Sequence, residues 1–316
     1  MPLCPRISTL DLTCLLLALL TWAAPLRAGA LEPVEVAPGV YAFLGQPGEI
    51  GPDTDGDVGN SGFVVGEQAV VVIDTGISYR HGRAMLDAIA RVTDKPVALV
   101  IVTHAVQEFL FGSAAFAELG VPVLAHTETV SLMRSRCEHC LANLRAILGE
   151  EAMAGTRLII PQRTVNSTTT LTAGGRALEL LHFGWASTPG DLAVLDRSTG
   201  VLFAGGLVSN RRIPDLRDGQ FQGWLSALDQ LEALPIGRIV PGHGALTDKR
   251  GIACMRRYLL DLDSRVRALY QAGVSLLEAV DRAELPAYAG WAMYPVNHRR
   301  NVQQRYLQLE LDELGG

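Results

Sequence analysis

Two of the seven histidines stand where an apolar run gives way to a loop. His104 lies in "VIVTHAVQEFLFG" (Val100 to Gly112) and His243 in "VPGHG" (Val240 to Gly244). Imidazoles at strand ends are a common start for a metal centre, but a catalytic zinc takes three protein ligands and an open position. After His104 the loop offers Ala105, Val106, Gln107, Glu108 and Phe109. His104, Glu108 and His243 are therefore weak candidates for a mononuclear site. The alternative reading makes His104 a hydrogen-bonded pocket histidine, His243 a ring that fills its turn, and Glu108 a solvated carboxylate.

Other chemistries are thinner. Ser187, with His243 and Asp191, has the side chains of a triad. However, "ASTPGD" lacks the strained G-x-S-x-G setting of a hydrolase nucleophile. Cys137 and Cys140 in "CEHC" are spaced to share one helical face, which in an exported chain reads as a local disulfide. A redox dithiol would need a low-pKa thiolate, favoured at a helix start, whereas Cys137 falls inside "TVSLMRSRCEHCLANLRAIL". An arginine of "RRIP" (Arg211 to Pro214) either faces the pocket to pair with an anion or is an ordinary surface arginine. His81, His126, His139, His182 and His298 show no ligand pairing and read mostly as surface or capping groups.

These residues need elements to position them. "VYAF", "GFVVG" and "AVVVID" read as a meander of strands. Between the first two lies "GQPGEIGPDTDGDVGNSG", long enough to be a lid or binding loop. "YRHGRAMLDAIARV" has Met85, Ile89 and Val92 at helical spacing, followed by the strand "ALVIVT". A helix then starts near Phe111, "VPVLAH" is a short strand, and a long helix runs from Glu128 to about Gly149. "RLIIP", "STTTLT", "ALELLHF", "DLAVLD" and "GVLFAGG" read as strands, "GWLSALDQLEALP" as a helix and "GRIVPGHG" as a strand. From Gly251 the pattern is helical, with a capping box at Ser275 and Glu278 and a last helix from about Asn297 to Leu314. Strands in two batches, each with helices, predict an α/β (α+β) fold of two mixed sheets packed face to face, helices outside.

Composition bounds the partners. Hydrophobic residues are 48% of 316, ample for a sizeable core. Residues 1–30, with the apolar "LTCLLLALLTWAA" and the small-residue "AGA", read as a cleaved export signal. Removing Arg6, Arg27 and Asp11 leaves 25 basic and 32 acidic side chains, a net charge of −7. That balance argues against nucleic acid, which needs a clustered basic surface. No later run approaches the roughly 20 apolar residues of a membrane span, so none remains after signal cleavage.

Five segments together resemble the metallo-β-lactamase superfamily: "VVVIDTG", "VTHAVQEFLFG", "GWASTPGDLAV", "VLFAGGLV" and "VPGHG". More narrowly, "RCEHCLANL", "SNRRIP" and "HRRNVQQRYLQLE" resemble the exported quinoprotein relay system zinc metallohydrolases and related sulfur-oxidation-associated hydrolases. The resemblance implies an αββα sandwich over residues 31–250, with a C-terminal helical extension, residues 251–316, packed on it. It also implies that His104 and His243 occupy ligand positions. Val106, Glu108 and Phe109 stand where His, Asp and His belong in H-x-H-x-D-H, Ser187 where a histidine belongs, and Gly206 where a bridging aspartate belongs. Asp74 and Asp191 match supporting residues.

Two functions follow. One is an exported, periplasmic protein with a degenerate metal site that binds a small molecule or periplasmic protein without catalysis and without a cofactor. The other is an active zinc-dependent hydrolase of ester, thioester or related bonds. The replaced ligands favour the first. The export reading predicts a mature N-terminus near Leu31 when the secreted or periplasmic protein is examined by mass spectrometry. Intact Met1 on a soluble cytoplasmic protein would refute it.

Overall fold

The computed structural model describes residues 31–314, and the segment read as an export signal lies outside them. Seven strands form the first sheet in sequential order: β1 (Val34–Ala37), β2 (Val40–Phe43), β3 (Ser61–Val65), β4 (Val70–Ile73), β5 (Val97–Ile101), β6 (Val123–His126) and β7 (Arg163–Val165). The first four are antiparallel neighbours, while β4 to β7 pair in parallel. The parallel half needs helical crossovers. These are α1 (Tyr79–Val92), the short α2 (Gln107–Leu110) and α3 (Ser113–Glu118), and α4 (Thr127–Leu148).

The second sheet contains β8 (Thr169–Ala173), β9 (Arg176–Leu181), β10 (Ala193–Asp196), β11 (Val201–Ser209) and β12 (Arg238–His243), in the order β12-β11-β10-β9-β8. Helix α5 (Phe221–Ala233) connects β11 to its parallel neighbour β12. Helices α6 (Lys249–Gln271), α7 (Leu276–Arg282) and α8 (Arg299–Leu314) complete the described chain.

Side-chain alternation sorts the core into layers. Val71 and Ile73 of β4, Leu99 and Ile101 of β5, Val194 of β10 and Phe203 of β11 share the cluster between the sheets. Their alternates Val70, Val72 and Val100 pack outward against Met85, Ala88 and Ile89 of α1 and Met133 and Leu141 of α4. Ala193, Leu195, Leu202 and Ala204 pack the other way, against Trp224, Ile252, Leu259 and Val302 of α5, α6 and α8. The result is the expected helix–sheet–sheet–helix arrangement. The helices beyond residue 250 share one apolar cluster with the second sheet.

Several boundaries differ from the sequence reading. "RLIIP" is not a strand: residues 157–162 are irregular, and β7 begins at Arg163. Leu158, Ile159 and Ile160 pack half-buried against the first sheet's outer cluster. An apolar run can bury itself in this way without a ladder partner. The helix expected near Phe111 is instead two short pieces, broken around Gly112. The capping box at Ser275 and Glu278 forms as expected.

Gly112 is required by close approach. A Cβ there would lie 1.9 Å from the Thr75 carbonyl oxygen, at the turn after β4. Gly112→Ala is expected to cost about 3 kcal/mol through overpacking. Gly237→Ala, whose nearest atom would be 3.8 Å away, should cost within about 0.5 kcal/mol. Urea unfolding of both variants checks this, and equal losses would refute it.

Candidate functional site

The site lies where β4, β5, β11 and β12 end. β4 delivers Asp74 in a left-handed conformation (φ 57°), which aspartate tolerates better than most residues. Its carboxylate accepts from the Thr103 backbone N–H at 2.8 Å and from the Thr103 hydroxyl at 2.8 Å. The same hydroxyl lies 2.8 Å from Nδ1 of His104. This chain fixes the imidazole, with Nε2 turned towards Gly206. Burial pushes Asp74 up to about 7 against the Thr103 hydrogen bonds. Burial also pulls His104 down to about 3, so its ring is neutral at physiological pH.

Phe109 fills the centre. Its fully buried ring lies 4.4 Å, centroid to centroid, from His104 and 5.2 Å, edge-on, from His243. Glu108 is buried rather than solvated, and Nε2 of His243 lies 3.1 Å from its Oε1. Burial raises the Glu108 carboxyl, but the opposing influences, led by the hydrogen bond with His243, outweigh it and the net shift is down. Burial lowers His243 against the opposing pull of Glu108. Both directions describe a neutral imidazole donating to an ionised carboxylate. Arg212, buried nearby, donates from Nη1 to the Gly48 carbonyl at 2.6 Å.

Ser187 and Asp191 form a separate unit. Ser187 Oγ donates to Asp191 Oδ1 at 2.8 Å, and Asp191 also accepts from the Thr188 N–H at 2.7 Å and the Thr188 hydroxyl at 2.9 Å. Burial raises Asp191 to about 6 despite these bonds. Gly206 faces Ser187 and His104. A Cβ there would lie 2.5 Å from Ser187 Oγ and 2.8 Å from Cδ2 of His104. The place of a bridging side chain is thus taken by its neighbours.

The structure brings together His104, Glu108, Phe109, Ser187, Gly206 and His243, with Asp74 and Asp191 supporting them. Val106 stands half-buried before α2 and offers no lone pair. The Ser187–His243–Asp191 triad does not form, because His243 is engaged by Glu108 and Ser187 by Asp191. The pocket-facing arginine is Arg212, whereas Arg211 is exposed. His126 and His298 are buried, contrary to the surface reading, although His126 does cap α4 by accepting from the Glu128 N–H. His182 stacks on His126 at 4.0 Å and contacts the Asp191 carbonyl at 3.0 Å. Cys137 and Cys140 are free thiols on α4 rather than the expected bridge.

Sequence reasoning assigned no role to Thr103 or Asn60. Asn60 donates to the carbonyls of Pro241 and Gly244, both at 2.8 Å, and so ties the loop after β2 to the end of β12. Only the position of Thr103 next to His104 could have signalled its role.

A zinc ion fits this donor set poorly. Phe109 packs against both His104 and His243, Glu108 is engaged by His243, and Ser187 is engaged by Asp191. Among the described residues no group of three or more His, Cys, Asp or Glu could hold a metal ion.

The family model of the metallo-β-lactamase superfamily matches residues 54–243. A linear primary-alkylsulfatase from Pseudomonas sp. is 22% identical over 288 residues, covering 78% of this chain and 54% of that protein. The chain therefore spans about half the length of this curated relative. A metallo-β-lactamase from Pontibacter korlensis superposes with a TM-score of 0.60 at 23% identity, covering 73% of this chain and 99% of that one. This second likeness concerns the fold.

Asp74 gives a test with a defined sign. Its raised pKa means the folded chain holds a proton that the unfolded chain releases between about 4 and 7. That contribution is present at low pH and lost as pH rises through about 7. The stability of the natural protein relative to Asp74→Asn should fall over that interval in urea titrations, and a rise would refute the assignment. Asp74→Ala, which strands the buried Thr103 N–H, should cost about 1–3 kcal/mol.

Proposed function

Because this chain belongs to the metallo-β-lactamase superfamily yet fills its metal positions with hydrocarbon, we propose that it is a non-catalytic member that binds a ligand or partner. One observation carries the reading: the Phe109 ring occupies the space between His104 and His243. A zinc hydrolase must place a metal and its bound hydroxide beside the scissile bond. Here that volume is aromatic, and the surviving donors neutralise one another. The apolar leader supports export to the periplasm, and the branch segments support a kinship with quinoprotein relay hydrolases. With the former cleft filled, a small molecule or periplasmic protein meets the surface instead. An exposed feature there is Trp185, whose indole N–H donates to the Asp218 carbonyl at 2.6 Å.

The alternative is a working metal-dependent hydrolase, as the alkylsulfatase likeness would suggest. Elemental analysis of protein purified from its own compartment decides between them. Well under one zinc per chain is expected, with no chelator-sensitive hydrolysis of sulfate-ester, thioester, aryl-ester or β-lactam substrates. Stoichiometric zinc, removed by chelator with loss of a hydrolytic activity, would overturn the proposal.

A further inference from the structure

Helix α4 carries a pair of thiols unrelated to the former metal cleft. Cys137 is fully buried among Met133, Leu141 and Leu144, while Cys140, one turn on, is half-exposed. Both are free, and their i, i+3 spacing sets them on one face of the helix. Two guanidinium groups face Cys140, those of Arg136 and Arg217, with the Glu138 carboxylate on the same turn. Arg136 is held in place by a bidentate pair with Asp218, both contacts at 2.8 Å.

We propose that Cys137 and Cys140 are a redox-active dithiol that exchanges with low-molecular-weight disulfides of the glutathione class. Cys140 is the attacking thiol and Cys137 the resolving one. The asymmetry follows from position. Only Cys140 reaches solvent, and cationic neighbours favour its thiolate. The Cys137 hydrogen bond and the nearby arginines hold the Cys140 thiol down at about 6, while the same contact and burial push Cys137 well up. In the first step the Cys140 thiolate attacks one sulfur of the disulfide, and one thiolate leaves and takes up a proton. In the second, Cys137 gives up its proton and attacks Cys140 Sγ, expelling the other thiol. Two protein thiols are oxidised to one disulfide as one disulfide is reduced to two thiols.

Helical geometry separates such a pair from a permanent staple. Neighbours at i and i+3 keep their Cβ atoms about 5–6 Å apart, whereas a relaxed disulfide needs about 3.5–4.5 Å. Closing the bridge must tighten a turn in the middle of a 22-residue helix. Strain of that kind makes a disulfide easier to reduce.

The test equilibrates the full-length mature protein in a series of glutathione redox buffers, quenches with an alkylating reagent and reads intact and peptide masses. The Cys137–Cys140 peptide should pass from two alkylated thiols to a bridge lighter by two hydrogens, with its midpoint inside the buffer range, while Cys254 stays outside the bridge. Cys137→Ser should trap Cys140 as a mixed disulfide with glutathione, and Cys140→Ser should abolish bridging. The natural protein alone can overturn the proposal, whatever the variants do. Two alkylatable thiols in oxidised glutathione would refute it, as would a bridge that persists in a large excess of reduced glutathione. Oxidation confined to Cys254 would refute it equally.

Discussion

The buried carboxylate of Asp74 ties together the ends of β4 and β5, on which the site depends. It accepts both the backbone N–H and the hydroxyl of Thr103, and the same hydroxyl engages His104. One side chain thus fixes the register of two loops and the rotation of an imidazole. The role of the arrangement is mechanical: it satisfies buried backbone polarity at a sharp exit from the sheet. Asn60 does the equivalent between the first sheet and the end of β12.

Around that scaffold, polar groups pair among themselves instead of converging on a common point. Glu108 has His243, and Ser187 has Asp191. Phe109 supplies the apolar filling. Gly206 lets Ser187 and His104 close over the place of a bridging carboxylate. A buried charge is tolerable when it is paired and hydrogen-bonded, and His243 supplies that hydrogen bond to Glu108. Arg212, buried nearby, holds the loop between β2 and β3 through the Gly48 carbonyl.

The thiols of α4 lie on the far side of a different contact. Arg136 joins the helix to Asp218, and the Asp218 carbonyl receives the indole N–H of Trp185. Trp185 stands two residues before Ser187, so the helix carrying the dithiol and the loop carrying the Ser187–Asp191 unit share an anchoring residue. The two features remain chemically distinct: one is polar and closed, the other open to solvent at Cys140.

Local pattern determined much of this protein. The spacing of Met85 and Ile89 specified α1, the run at Val70 to Ile73 specified a strand, and Ser275 with Glu278 marked the start of α7. These features were legible because periodicity and capping act between residues close in the chain. That Val106, Phe109 and Gly206 carry no side-chain donor atoms was legible too, since residue type alone decides it. Tertiary structure decided the rest. It left "RLIIP" without a strand partner, chose Arg212 over Arg211, buried Glu108 and set the Phe109 ring between two histidines. Those outcomes depend on contacts such as Glu108 to His243, 135 residues apart, where burial and pairing outweigh any local preference.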